Sequence, residues 1–174
     1  MNISFDIKIY EFLFLIFTVC GGLFALFQWR KSYKLKRAEY LENALIKIRE
    51  DKDFAQVLYR IDYGEEWYTP EFIEDHNQEQ LFDKVFAYFD FLCYLKHQRI
   101  LRESEFRIFE YRIARMAAND SFVCYMFNLY HFSTKKNNTD ISFFYLLTFL
   151  LDKGLLPEDF ENMQSENYTK LLNV

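Results

Sequence analysis

The sequence predicts an all-α protein: an N-terminal transmembrane helix followed by a cytoplasmic bundle of about five or six helices. Three observations carry this expectation. Gly and Pro together supply only six of 174 residues, too few breakers for a chain of short strands and turns. Phe, Tyr and Trp make up 21% of residues, which argues for bulky packed cores and against disorder. Apolar residues recur at helical spacing along most of the chain. The length allows one ordinary domain and a small appendage.

The appendage is residues 12–29, "FLFLIFTVCGGLFALFQW", whose only polar members apart from Cys20 are Thr18 and Gln28. As a helix this run spans about 27 Å at roughly 1.5 Å per residue, close to the hydrocarbon thickness of a bilayer. Tyr10 and Trp29 stand at its ends, where amphipathic rings suit the interface. A cleaved secretion signal wants a basic leader, a shorter apolar run and a small-x-small site, and none of these is present. A soluble core helix would be amphipathic, whereas this segment is apolar all round. The expectation is a retained single-pass anchor.

Charge gives the orientation. Residues 30–37 hold Arg30, Lys31, Lys34, Lys36 and Arg37 and no acid, while residues 1–29 carry a net −1. The remaining 137 residues carry −9. Basic residues flanking an anchor stay inside, so residues 30–174 are expected in the cytoplasm and residues 1–11 outside. The expected location is the inner (cell) membrane. The three cysteines fit a reducing compartment, since Cys93 and Cys124 fall in apolar helical patterns without disulfide-like spacing.

Five segments follow: a short extracytoplasmic N-terminus at 1–11, the membrane helix at 12–29, a basic collar and juxtamembrane helix at 30–62, a helical domain at 63–160, and a polar tail at 161–174. Leu41, Leu45, Ile48, Ala55 and Leu58 mark one helix over 33–62, with Lys52 interrupting its stripe. Gly64 and Pro70 punctuate the next stretch. A broad apolar face of Leu81, Phe82, Val85, Phe86, Phe89, Leu92 and Cys93 predicts a helix from about residue 78 to the basic "KHQR". Ser104 is placed to cap a helix striped by Phe106, Phe109, Ile113 and Met116. "NDS" at 119–121 ends that helix and caps the next, and "STKKNNTD" reads as a loop. Residues 141–151 are apolar on nearly every side but too short to span a bilayer, which predicts a central, fully buried helix capped by Asp140 or Ser142 and closed at Lys153–Gly154. Pro157 begins a last short helix. The expected core is Phe86, Phe89, Phe109, Ile113, Phe122, Phe144, Leu147 and Leu150.

Several constellations could carry function. Thr18, Gly21, Gly22 and Ala25 are small residues spaced to let two membrane helices pack closely, which predicts a homo-oligomer. The collar, Arg30, Lys31, Lys34, Lys36 and Arg37, would attract anionic lipid headgroups. Arg107, Tyr111 and Arg115 share a helical face that could grip a small anionic ligand, although Glu103 stands where it could pair with Arg107. Eight acids between Asp62 and Asp83 read as a solvated acidic loop, and Cys93 with His97 as half a metal site lacking its second half. Neither a metal nor a cofactor is therefore expected. The acidic domain argues against nucleic acid as a partner. With no phosphate-binding loop or nucleophile elbow, a non-enzymatic role is favoured over a catalytic one.

Residues 91–132, "FLCYLKHQRILRESEFRIFEYRIARMAANDSFVCYMFNLYHF", resemble small uncharacterised bacterial single-pass membrane proteins with an all-helical cytoplasmic domain. Some of these look like effectors in anti-phage or stress systems. The resemblance implies a membrane-anchored effector or interaction module with a protein partner, and it brings no catalytic residues. A cytoplasm-facing sensor of an anionic small molecule is the alternative.

Overall fold

The computed structural model describes residues 3–135 and 141–162. Among them every regular element is helical: α1 Ile3–Glu50, α2 Lys52–Asp62, α3 Pro70–Glu74, α4 His76–His97, α5 Glu103–Ala117, α6 Asp120–Lys135 and α7 Phe144–Asp152. The chain divides into two compact units, Met1–Lys47 and Ile48–Val174.

Helix α1 makes up the first unit and ends three residues past its limit, 48 residues long and uninterrupted through Gly21 and Gly22. Its apolar run lies bare, with Phe14 75%, Phe17 74%, Leu23 62% and Phe27 63% exposed. The most apolar 18-residue window has a mean hydropathy of 2.0, so the helix is long and apolar enough to cross a membrane. The Thr18 hydroxyl donates to the Phe14 carbonyl at 2.9 Å, which satisfies the one hydroxyl in this run without a partner outside the helix.

The helix expected over 33–62 is in fact two. Asp51 has an extended backbone (ψ 120°), and its carboxylate accepts the Asp53 N–H at 2.9 Å, ending α1 and capping α2. Lys84 from α4 reaches Asp51 and Asp53 at 3.4 and 2.6 Å, fixing the break. The phase carries a trace of it: at about 100° per residue, Phe54, Val57, Leu58 and Ile61 fall on a different face from Leu41, Leu45 and Ile48, a shift that one straight amphipathic helix does not make.

In the second unit α4 is the hub, with α2, α3, α5 and α7 packed on it and α6 on α5. Aromatic rings fill the space between them. Trp67 lies 4.1 Å from Phe82, 5.0 Å from Phe72 and 5.7 Å from Tyr125 (ring centroids), and Phe86 meets Phe122 at 5.1 Å. Such rings bury large apolar areas and add a geometric preference of their own. Lys96 is turned inward over Phe106 and Phe149, 4.9 and 4.4 Å from the ring centres, so its cation joins α4, α5 and α7.

Several expectations need correction. Residues 62–83 are not a solvated loop: Trp67, Tyr68 and Phe72 are buried, and α3 and the start of α4 lie within the stretch. Helix α7 is not buried all round, since Phe144 and Leu151 are 48% and 36% exposed. Phe144 therefore leaves the core, whereas Phe86, Phe89, Phe109, Ile113, Phe122, Leu147 and Leu150 are buried. Residues 133–135 continue α6 rather than opening a loop. Past Pro157 there is a turn, closed by Phe160 N–H donating to the Pro157 carbonyl, and not a helix. Position 102, not Ser104, caps α5, its N–H donating to the Glu105 carboxylate at 2.9 Å. Asp140, the rest of the expected 133–140 loop, and residues 163–174 of the expected tail lie outside the described residues.

Candidate functional site

In α1 the structure keeps Thr18, Gly21, Gly22 and Ala25 on exposed helix, and a Cβ added at either glycine would meet nothing within 4 Å. The collar continues the same helix, with Arg30, Lys31, Lys34 and Lys36 exposed and Arg37 half-buried.

Helix α5 carries the arginine face. Its buried side holds Phe106, Phe109, Ile113 and Met116, leaving Arg107, Tyr111 and Arg115 outward. The three do not act as one set. Arg115 donates to the Asp62 carbonyl at 2.6 Å and its Nε reaches the Asp62 carboxylate at 3.4 Å. Arg112, which points to the side, meets the same carboxylate at 2.5 Å. Two guanidiniums thus close the C-terminal end of α2, where free carbonyls and the helix dipole favour cations. Arg107 and Tyr111 remain exposed. Glu103, expected to pair with Arg107, instead faces Lys96 at 3.4 Å and Lys153 at 3.9 Å.

A surface pocket of about 430 Å³ opens where the α2–α3 loop meets the start of α6. Glu65, Glu66 and Asp120 ring it, with Tyr68, Ser121 and Cys124 deeper. Local capping builds this corner. Asn119 accepts the Phe122 N–H at 3.0 Å and donates to the Glu65 carbonyl at 3.4 Å, and Ser121 Oγ accepts the Trp67 N–H at 3.1 Å. Burial, then Asp120 and Glu66, pushes the Cys124 thiol up, which keeps it protonated and a poor nucleophile. None of the three histidines lines the pocket. His131 is buried, its Nε2 donating to the Phe160 carbonyl at 3.0 Å, and His76 lies beside Glu79 at 3.8 Å. His97 packs its ring on Tyr145 at 5.5 Å and is not joined by Cys93 in a metal site, Cys93 being buried with its thiol pushed far up by burial and by Asp90. Among the described residues no group of three or more His, Cys, Asp or Glu side chains could hold a metal.

The acids of residues 62–83 have structural roles that composition did not reveal. Asp62 takes the two arginines, Glu65 pairs with Arg60 at 3.0 Å, and Asp75 caps α4 through the Asn77 and Gln78 N–H groups. Asp83 accepts the Tyr125 hydroxyl at 2.5 Å. Comparison with family models, curated proteins and solved structures returns no match.

Proposed function

We propose that this chain is a single-pass membrane protein of a bacterial cell membrane, with its second unit in the cytoplasm as a non-enzymatic effector or interaction module. The observation that carries the reading is the bare apolar run of α1, which would be costly in water and is matched in length to a bilayer. The five-residue basic collar on its C-terminal side supports the cytoplasmic placement. The small-residue stripe at Thr18, Gly21, Gly22 and Ala25 supports self-association in the membrane. The module reading draws on the pocket, whose Ser121 hydroxyl already accepts a backbone N–H and whose Cys124 thiol is held protonated. An anti-phage or stress setting follows from the resemblance of residues 91–132, with a protein partner as the target.

Alkaline washing of membranes and paired C-terminal fusions test this. The full chain is expected to stay in washed membranes, with a fluorescent-protein fusion bright and an alkaline-phosphatase fusion inactive. Intact chain in the soluble fraction, or an active phosphatase, would sink the proposal.

A further inference from the structure

We propose that the outward face of α5, together with the turn before it, docks on the surface of an anionic phospholipid bilayer. The inference rests on the anchored, cytoplasm-facing reading above. Its material is Arg99, Ile100, Arg102, Arg107, Ile108 and Tyr111. Ile100, Ile108 and Tyr111 are 52%, 49% and 66% exposed, and the three arginines are exposed as well.

Single exposed apolar side chains are ordinary on protein surfaces. Here they are grouped. At 3.6 residues per turn, positions 104, 107, 108, 111 and 115 fall within one arc about 100° wide, opposite the buried stripe. That arc holds no acid. Ile100 precedes it between Arg99 and Arg102, on a turn that Arg99 makes with a left-handed backbone (φ 57°). Arg112 and Arg115 are occupied by Asp62, but Arg99, Arg102 and Arg107 enter no ion pair among the described residues.

Charge selects the occupant. Residues 38–174 carry −9, yet the turn at 99–102 and the outward arc of α5 carry Arg99, Arg102 and Arg107 and no acid. A positive face on an acidic unit is attracted by an anionic surface that repels the rest of the unit, which orients as well as binds. Guanidiniums take phosphate oxygens in forked pairs. A soluble phosphate would leave Ile100, Ile108 and the Tyr111 ring in water, whereas a headgroup layer receives apolar side chains between its phosphates. The anchor on the same chain holds the unit near the bilayer, so a contact too weak to recruit a free protein suffices. Basic residues near an anionic surface contribute about fivefold each, so the three arginines together raise the docked-to-free ratio by roughly 100-fold.

The test uses full-length chain in vesicles with a nitroxide on Ser104→Cys, an exposed position on the same arc, in a Cys20→Ala, Cys124→Ala background. Vesicles are phosphatidylcholine alone or mixed with phosphatidylglycerol. Flotation after an alkaline wash reports the anchor in the same sample, so failure of anchoring is seen separately. In washed, floating vesicles the label is expected to lose contact with a polar relaxation agent only when phosphatidylglycerol is present. Replacing Arg99, Arg102 and Arg107 by Gln should restore that contact, replacing them by Lys should largely preserve docking, and Ile108→Ser should weaken it. A label that stays aqueous in anionic vesicles overturns the proposal, as does docking indifferent to the Gln substitutions. An equal response to inorganic phosphate in phosphatidylcholine vesicles would assign the arginines to a soluble anion and overturn it too.

Discussion

Asp90 in α4 caps α7 from another helix: its carboxylate accepts the Leu146 N–H at 2.8 Å across 56 residues of sequence. The residue at the cap position, Phe143, has a left-handed backbone (φ 57°) and no side chain able to accept that hydrogen bond. Without Asp90 the first turn of α7 would bury N–H groups that nothing satisfies. Asp90→Ala is expected to cost about 1–2 kcal/mol in denaturant unfolding, the range for lost caps, and Asp90→Asn less than half of that. Equal losses in the two variants would mean that the hydrogen bond is not what matters.

The same carboxylate, with Asp83, sets a pH dependence. Burial raises the Asp90 carboxyl above its ordinary value despite its backbone hydrogen bonds, and burial raises Asp83 against the Tyr125 bond, with Glu79 adding to the rise. A carboxyl whose folded value lies above its unfolded one holds a proton in the folded state that the unfolded chain has released. Its stabilising contribution is full below the unfolded value, about 4, and is lost as pH rises through the folded value. Other carboxyls run the opposite way, Asp75 being held down by Gln78. The clean observable is thus a difference. Unfolding free energies of the wild type and Asp83→Asn should diverge in the wild type's favour as pH falls from 7 toward 4. A constant difference would remove Asp83 from the account.

How much of this was legible depends on the range of the interaction. The long apolar N-terminal helix, the α4 and α5 stripes, the Asn119 cap and the Lys153–Gly154 close could be read because each is set by residues within a few turns of one another. Asp51, Asp62, Asp83 and Asp90 could not, because their partners Lys84, Arg112, Tyr125 and Leu146 lie 33 to 56 residues away. A carboxylate looks the same in sequence whether it is solvated or bonded. Residues 62–83 look acidic and loose for that reason, although Trp67 within them anchors the aromatic core. The arginine face was visible as a face, but the withdrawal of Arg115 to α2 was not.

The Asp62 clamp joins α2 to α5 through half-exposed groups, so solvent screening limits each contact. Arg112→Ala and Arg115→Ala should each cost about 1 kcal/mol or less, with Arg115 also releasing the Asp62 carbonyl. Because both guanidiniums share one carboxylate, each single variant leaves Asp62 one cation and relieves the repulsion between the two, so the double variant should lose more than the sum of the singles. A double-mutant cycle in denaturant checks this, and strict additivity would show that the two arginines act separately.

Self-association through α1 makes the last prediction. Gly21 and Gly22 sit on uninterrupted helix with free space where a Cβ would stand, so Leu at both positions leaves the single helix undisturbed. Leucine is a better helix former than glycine and equally at home in lipid, so insertion should be unaffected or improved. What it removes is close backbone approach between two copies, since the side chain holds the helices apart. Energy transfer between labelled full-length chains in bilayers should therefore fall for Gly21→Leu/Gly22→Leu while membrane retention stays constant. Replacing Leu23, outside the Thr18–Gly22 spacing, by Ala should change neither. Undiminished transfer in the leucine variant would remove the glycine stripe as the contact and leave the anchor a monomeric tether.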